Sequence, residues 1–216
     1  MSDFPFAFRA RFSADERSRF DEQVSRFLRS VRFVSDTGNV DAATELAIAA
    51  LACRLTVNLP EEQYGRLELV NLAESLPDED DGDLHLGFMS GTTVHTVAFT
   101  HEALADALRE DDDGVNVVYH ELAHVLDAAD GVCDGIPRLI DPRELPTWRR
   151  VIGEALDRLR AARELRIPTA IDIYGAKKES DLFATATEAF FERPEKLRNA
   201  HPELYELLVS FYRQRP

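Results

Sequence analysis

The sequence predicts an α+β fold, with helices at the start, a short run of strands in the middle and helices to the end. Three observations lead there. In the first and last thirds, apolar residues recur every three or four positions, the period of a helix packed on one side. In the middle third the period drops to two, in short segments rich in aliphatic and β-branched residues. The 216 residues contain no linker-like stretch, internal repeat or low-complexity segment, so one domain over 1–216 is expected.

Taken in order, Ser13-Ala14-Asp15-Glu16 is a capping-box sequence, with Ser13 placed to accept from the amide of Glu16. Behind it Phe20, Val24, Phe27, Leu28 and Val31 keep helical spacing, giving a helix of about 17 residues. Asp36-Thr37-Gly38-Asn39 reads as a turn, and Asp41 caps a second helix, DAATELAIAALACRL, that is apolar on nearly all sides and belongs in the core. These N-terminal helices cover about 13–57, and Pro60 follows them. RLELVNL, DLHLGFM and VHTVAFT are the expected strands of a small sheet over about 65–100, with Ser90-Gly91-Thr92 able to turn the last two into a hairpin. The acidic run 77–83 reads as a solvated loop. HEALADAL is a short helix, and Asp111-Asp112-Asp113 lie where acids favour the positive end of the next one, about 115–130. The rest is helical: Leu145 to Leu165, Ser180 to Phe191 and Pro202 to Tyr212, within about 145–213.

Composition excludes several classes. With 44% apolar and 30% charged residues the chain is not disordered, and no apolar stretch nears the roughly 18 residues that span a bilayer. Forty acidic residues against 25 basic ones leave a net charge of −15, which repels backbone phosphates and argues against nucleic acid as a partner. The start, MSDFPFAFRARF, breaks its apolar run with Arg9 and Arg11, the opposite of a signal peptide, so a cytoplasmic location is expected. Cys53 and Cys133 are too few for a disulfide framework and read as thiols.

The residues with chemistry in them are His120-Glu121-Leu122-Ala123-His124, an HExxH segment in a helical stretch whose buried side is Val117, Val118, Leu122, Val125 and Leu126. On a helix, residues four apart lie one above the other, so both imidazoles reach one zinc ion and Glu121 lies to the side, near a water on that metal. Neutral imidazole suits zinc, which lowers the pKa of bound water from about 15.7 to about 7, and a carboxylate can take the proton. The other histidines, His85, His95, His101 and His201, are scattered. A catalytic zinc needs a third protein ligand. No HxxGxxH extension follows His124, so this ligand should be a carboxylate on a later helix; Asp172, Glu179, Asp181 and Glu188 are the candidates. Asp181 and Glu188 share a helical face and Glu179 is turned away from them; spacing alone does not choose. Asp127, on the face of His124, is placed to hydrogen-bond a ligand histidine, to anchor the next loop or to cap the helix.

HELAHVLD at 120–127, Gly135-Ile136-Pro137, Trp148, IDIYGA at 171–176 and FATATEAFFERP at 183–194, with RFV at 32–34 and LACRLTVNL at 51–59, together resemble the Mlc titration factor A family of zinc peptidases, over roughly residues 11–213. The resemblance implies a zincin-like fold related to the catalytic domain of anthrax lethal factor, with helices flanking a small mixed sheet whose edge strand lines the substrate cleft. It implies one zinc per chain, held by His120, His124 and Asp181, with Glu121 as catalytic glutamate and Tyr174 assisting beside the site. Where the family has a glutamate this chain has Asp181, one methylene shorter, and Glu179 two residues earlier is the alternative. Glu188, on the face of Asp181, is placed either to support the ligands or to lie exposed or at the rim of the core. The activity implied is hydrolysis of a peptide or protein substrate; the family implies aminopeptidase substrates, while the residues leave endo- and aminopeptidase action both open. The alternative is a regulatory binding protein that sequesters a transcriptional repressor, with weak or lost catalysis.

Overall fold

The computed structural model describes residues 6–60, 64, 67–76, 95–109, 113–138 and 141–216. Helix α1 (Ala14–Ser30) begins at the capping box: Ser13 accepts from Glu16 N, and the Glu16 side chain accepts in turn from Ser13 N. It buries Phe20, Val24 and Phe27. A strand follows directly, β1 (Arg32–Ser35), where the sequence gives only the approach to a turn. Helix α2 (Ala42–Thr56) is capped by Asp41, which accepts from Ala43 and Thr44, and it buries Ala47 to Cys53, Leu55 and Thr56 as an all-round apolar helix must.

Strands β2 (Leu67–Ala73) and β3 (His95–Thr100) complete a sheet ordered β1-β2-β3, in which both pairings are parallel. Val34 pairs with Asn71 and Val70 with Val97, with an irregularity between Leu67 and Leu69. Parallel neighbours need crossovers, and α2 is the first of them. A mixed sheet was expected; its described strands are parallel, and the segment that would run the other way, DLHLGFM with its Ser90–Thr92 turn, lies outside the described residues together with the acidic run 77–83.

Helix α3 (His101–Ala107) leaves β3 directly, with Thr100 as its cap. Helix α4 (Val117–Asp127) ends in a 3-10 turn over Ala128–Asp130, so the expected 115–130 is a shorter α-helix with a tightened end. Helix α5 (Leu145–Leu165) spans the expected residues. Helix α6 (Glu179–Glu192) buries every residue from Ser180 to Phe191. A further helix, α7 (Pro194–Ala200), separates it from α8 (Pro202–Tyr212). α4 packs against α2, α3, β3 and above all α6, so two helices cross at the centre of the core and face each other.

Candidate metal centre

The site is built on α4. Asn116 caps it, accepting from Tyr119 N at 3.2 Å, and the next two turns carry His120, Glu121 and His124, which are 7%, 1% and 3% exposed. Buried polar groups of this kind are expensive unless they are paired or hold an ion. The two imidazole Nε2 atoms converge to 3.3 Å. A tetrahedral zinc bound by two imidazole nitrogens at about 2.0–2.1 Å would hold them about 3.3–3.4 Å apart, so the spacing fits that ion.

The first turn of α6 brings in the carboxylate. Asp181 is 2% exposed, and its Oδ1 lies 3.8 Å from His124 Nε2. Of the other candidate ligands, Glu179 opens α6 and is exposed, and Asp172 is exposed and accepts from Tyr174 N at 2.7 Å. Glu188, two turns beyond Asp181, takes a different place. Its Oε1 lies 2.7 Å from His120 Nδ1, the nitrogen facing away from His124, and its Oε2 accepts from Asn116 N at 2.5 Å. It fixes the orientation and tautomer of His120. Tyr174 sits in a 3-10 turn, Ile173–Ala176, half-buried, with its ring centroid 5.6 Å from that of His120 and Lys177 Nζ 3.8 Å from its own centroid. Gly175 makes this approach possible, because a Cβ there would fall onto Thr185 Oγ1 and crowd Leu182 Cα of α6.

The outer nitrogen of His124 has a different neighbour. Its Nδ1 lies 3.6 Å from Cys133 Sγ, which in turn donates to Asp127 Oδ2 at 3.4 Å. Asp127 is fully buried and accepts from Gly135 N at 2.7 Å, so it anchors the loop after α4. His124, Asp127 and Cys133 offer ligand atoms within 4.8 Å of one another, but Asp127 is committed to the loop and burial pushes the Cys133 thiol up, keeping it protonated. Sequence spacing gave no sign of Cys133, because its place depends on the loop's path back past α4. Of the remaining histidines, His101 contacts Ser35 at the end of β1 and Thr37 just after it, His201 is half-buried, and the side chains of His85 and His95 lie outside the described residues.

Burial opposes charge on both rings, and the carboxylate beside one of them drives their proton affinities apart. At His124 burial, then His120 and Lys178, lower the pKa to about 3, leaving a neutral imidazole with a free lone pair. At His120 burial also opposes charge, but the hydrogen bond and charge of Glu188 prevail and the pKa is raised. Burial raises Glu188 as well, against the hydrogen bonds and charge of His120 and the Asn116 amide. Asp127 is pushed up by burial to about 7. A cavity of about 890 Å³ lies away from these groups, on the Tyr119 side of α4, where Arg54 donates to Tyr119 Oη at 2.7 Å and stacks on Phe8 and Phe191.

An α+β fold with HExxH on a core helix packed against a small sheet, and a carboxylate from a second helix beside the histidines, is that of a zincin-like metallopeptidase. The chain belongs to the glucose-regulated metallo-peptidase M90 family, whose model matches residues 4–213. The uncharacterized protein slr2042 of Synechocystis sp. is 29% identical over 218 residues, covering 95% of this chain and 79% of the relative. Mlc titration factor A of Enterobacter sp. is 28% identical over 221 residues, 96% of this chain and 82% of its own length. Mlc titration factor A of Edwardsiella ictaluri is 34% identical over 109 residues, 49% of this chain and 41% of its own.

Proposed function

We propose that the chain is a zinc-dependent peptidase, one catalytic unit over 1–216 that hydrolyses peptide bonds in the cytoplasm. The observation that supports this most directly is the convergence of His120 and His124 Nε2 to 3.3 Å beside the buried Asp181. These three residues would hold one zinc. When bound, zinc supplies a Lewis acid that polarises the scissile carbonyl and acidifies water. Glu121, 1% exposed and next to His120 on α4, takes the proton of the attacking water and then delivers it to the leaving amine. Tyr174, beside His120 and fixed by Lys177 over its ring, donates to the developing oxyanion. Glu188 holds His120 so that Nε2 faces inward. Cys53 and Cys133 are free thiols, in keeping with a reducing compartment. Among the described residues, no helix is long and apolar enough to cross a membrane.

Elemental analysis of the purified chain should find about one zinc, kept in Glu121→Gln and sharply reduced in Asp181→Ala. Hydrolysis of peptide substrates should fall about 10²- to 10⁴-fold in Glu121→Gln. Undiminished hydrolysis in that variant would remove the assignment. A second reading draws on the relatives named Mlc titration factor A: the chain sequesters a transcriptional repressor. Capture of such a repressor that survives both zinc removal and Glu121→Gln favours binding over catalysis.

A further inference from the structure

The metal-facing atoms come from two helices, and the distance between those helices decides whether three donors can meet one ion. Asp181 Oδ1 is 3.8 Å from His124 Nε2, with an aspartate's single methylene to reach across from α6. A shift of α6 by the length of one C–C bond, about 1.5 Å, would take the carboxylate out of range.

One close backbone approach to the first turn of α6 is at Gly135, in the loop after α4. Both backbone groups of this residue are engaged. Its N–H donates to Asp127 Oδ2 at 2.7 Å, which ties it to the end of α4. Its carbonyl accepts from Trp148 Nε1 at 2.6 Å, which ties it to α5. Asp127 is 0% exposed and Trp148 1%, so neither tether is free to swing. Gly135 has a φ of +77°, and a Cβ on it would lie 2.6 Å from the carbonyl oxygen of Glu179 and 2.8 Å from its carbonyl carbon. That is about 1 Å inside ordinary van der Waals contact. The obstacle is helix backbone, two residues before Asp181, and it cannot rotate aside as a side-chain tip would.

We propose that Gly135 is a positioning residue for the metal centre: tethered to α4 by Asp127 and to α5 by Trp148, its bare α-carbon is the stop on which the first turn of α6 rests, and it thereby sets the reach of Asp181 to His120 and His124. The proposal rests on the zinc reading above. It has a directional consequence. A Cβ at 135 pushes the first turn of α6 outward, Asp181 then falls short, and a side chain one methylene longer at 181 recovers the distance.

The test is a double-mutant cycle on the full chain, reading zinc dissociation constants by competition with a chromophoric chelator and unfolding temperature in parallel. Gly135→Ala should weaken zinc binding about 10- to 100-fold, the range for residues that orient metal ligands. Gly135→Asn carries the same Cβ but tolerates positive φ, so an equal loss there separates the clash from backbone strain. Asp181→Glu in the parent should bind zinc no tighter than the parent does. The double variant Gly135→Ala with Asp181→Glu should bind at least tenfold tighter than Gly135→Ala, a coupling that a merely structural glycine would not produce. Should the position 135 variants fail to fold, Trp148→Phe removes one tether and keeps an aromatic ring, and its loss of zinc affinity should likewise be relieved by Asp181→Glu. Parent-like zinc affinity in the Gly135 variants overturns the proposal, as does a loss that Asp181→Glu leaves in place. Failure of the parent chain to bind zinc overturns the zinc reading itself, and is seen before any variant is made.

Discussion

The outer nitrogen of His120 faces a carboxylate and that of His124 faces a thiol. The carboxylate of Glu188 orients its histidine and raises its proton affinity, so protons would compete with a bound zinc more strongly at His120 than at His124, whose pKa lies near 3. Zinc affinity should therefore fall as pH drops through the raised pKa of His120. Glu188→Gln removes the charge that raises it. This variant should bind zinc about 10- to 100-fold more weakly at neutral pH, and the acid limb of its binding profile should move to lower pH; zinc titrations across pH check both. Asp127 makes a separate prediction. Its folded pKa of about 7 exceeds the ordinary 3.8, so its contribution to stability is complete below the lower value and is lost as pH rises through the upper one, at about 1.4 kcal/mol per pKa unit. Asp127→Asn keeps an acceptor for Gly135 N and removes the titration. Its unfolding temperature relative to the parent, measured in chelator, should become more favourable from about pH 5 to about pH 8. A difference that stays constant over that range would show that Asp127 does not titrate there. At this scale His120, Glu121 and His124 were legible because i, i+4 spacing is a local property of a helix. Cys133 was not, since its contact with His124 arises only when the loop folds back.

Several helix ends were legible in the sequence. Ser13 and Asp41 cap as their positions imply, and α5 and α8 keep their expected bounds. Two elements escaped notice for physical reasons. β1 has four residues, too few for alternation to register, and it is stabilised by pairing with β2 rather than by its own pattern. Pro194 follows the expected helix end at Phe191 and is the first residue of α7, because proline both stops the preceding helix and suits the first turn of the next. The direction of the strands was also hidden, since it depends on crossovers and not on strand residues. α4 depends on a cap that the sequence pattern did not single out. Asn116 accepts from Tyr119 N, donates to Ala107 O at 3.0 Å and reaches Glu192 at 3.3 Å, all while 3% exposed. Asn116→Ala should cost about 1–2 kcal/mol and lower the unfolding temperature by roughly 2–4 °C per kcal/mol. Its backbone N–H still serves Glu188, so zinc affinity should change less than stability does. A loss of zinc affinity larger than that of Glu188→Gln would mean that the cap sets the histidine geometry directly.

Across the whole molecule the candidate ligands come from two helices far apart in sequence, so a bound ion would tie α4 to α6 in the folded state and have no equivalent site in the unfolded chain. Mass action then links metal to stability: zinc at a hundred times its dissociation constant adds about 2.7 kcal/mol, which for a chain of this size is about 5–10 °C in unfolding temperature. Removing the metal with chelator should lower the transition by that amount and leave buried carboxylates near neutral His124, with no ion to offset them. The net charge of −15 complicates a simple reading, because an acidic surface is stabilised by any divalent cation through screening. The two effects separate by ion and by variant. Magnesium at the same concentration relieves surface repulsion but is a poor partner for two imidazoles, so it should shift the transition far less than zinc. Asp181→Ala changes the surface hardly at all, being a substitution at a buried position, yet it should lose most of the zinc-dependent shift. Glu121→Gln should keep that shift, since Glu121 is not among the proposed ligands. Equal shifts with magnesium and zinc, unaffected by Asp181→Ala, would place the effect on the surface and leave the convergence of His120 and His124 without a metal to account for it.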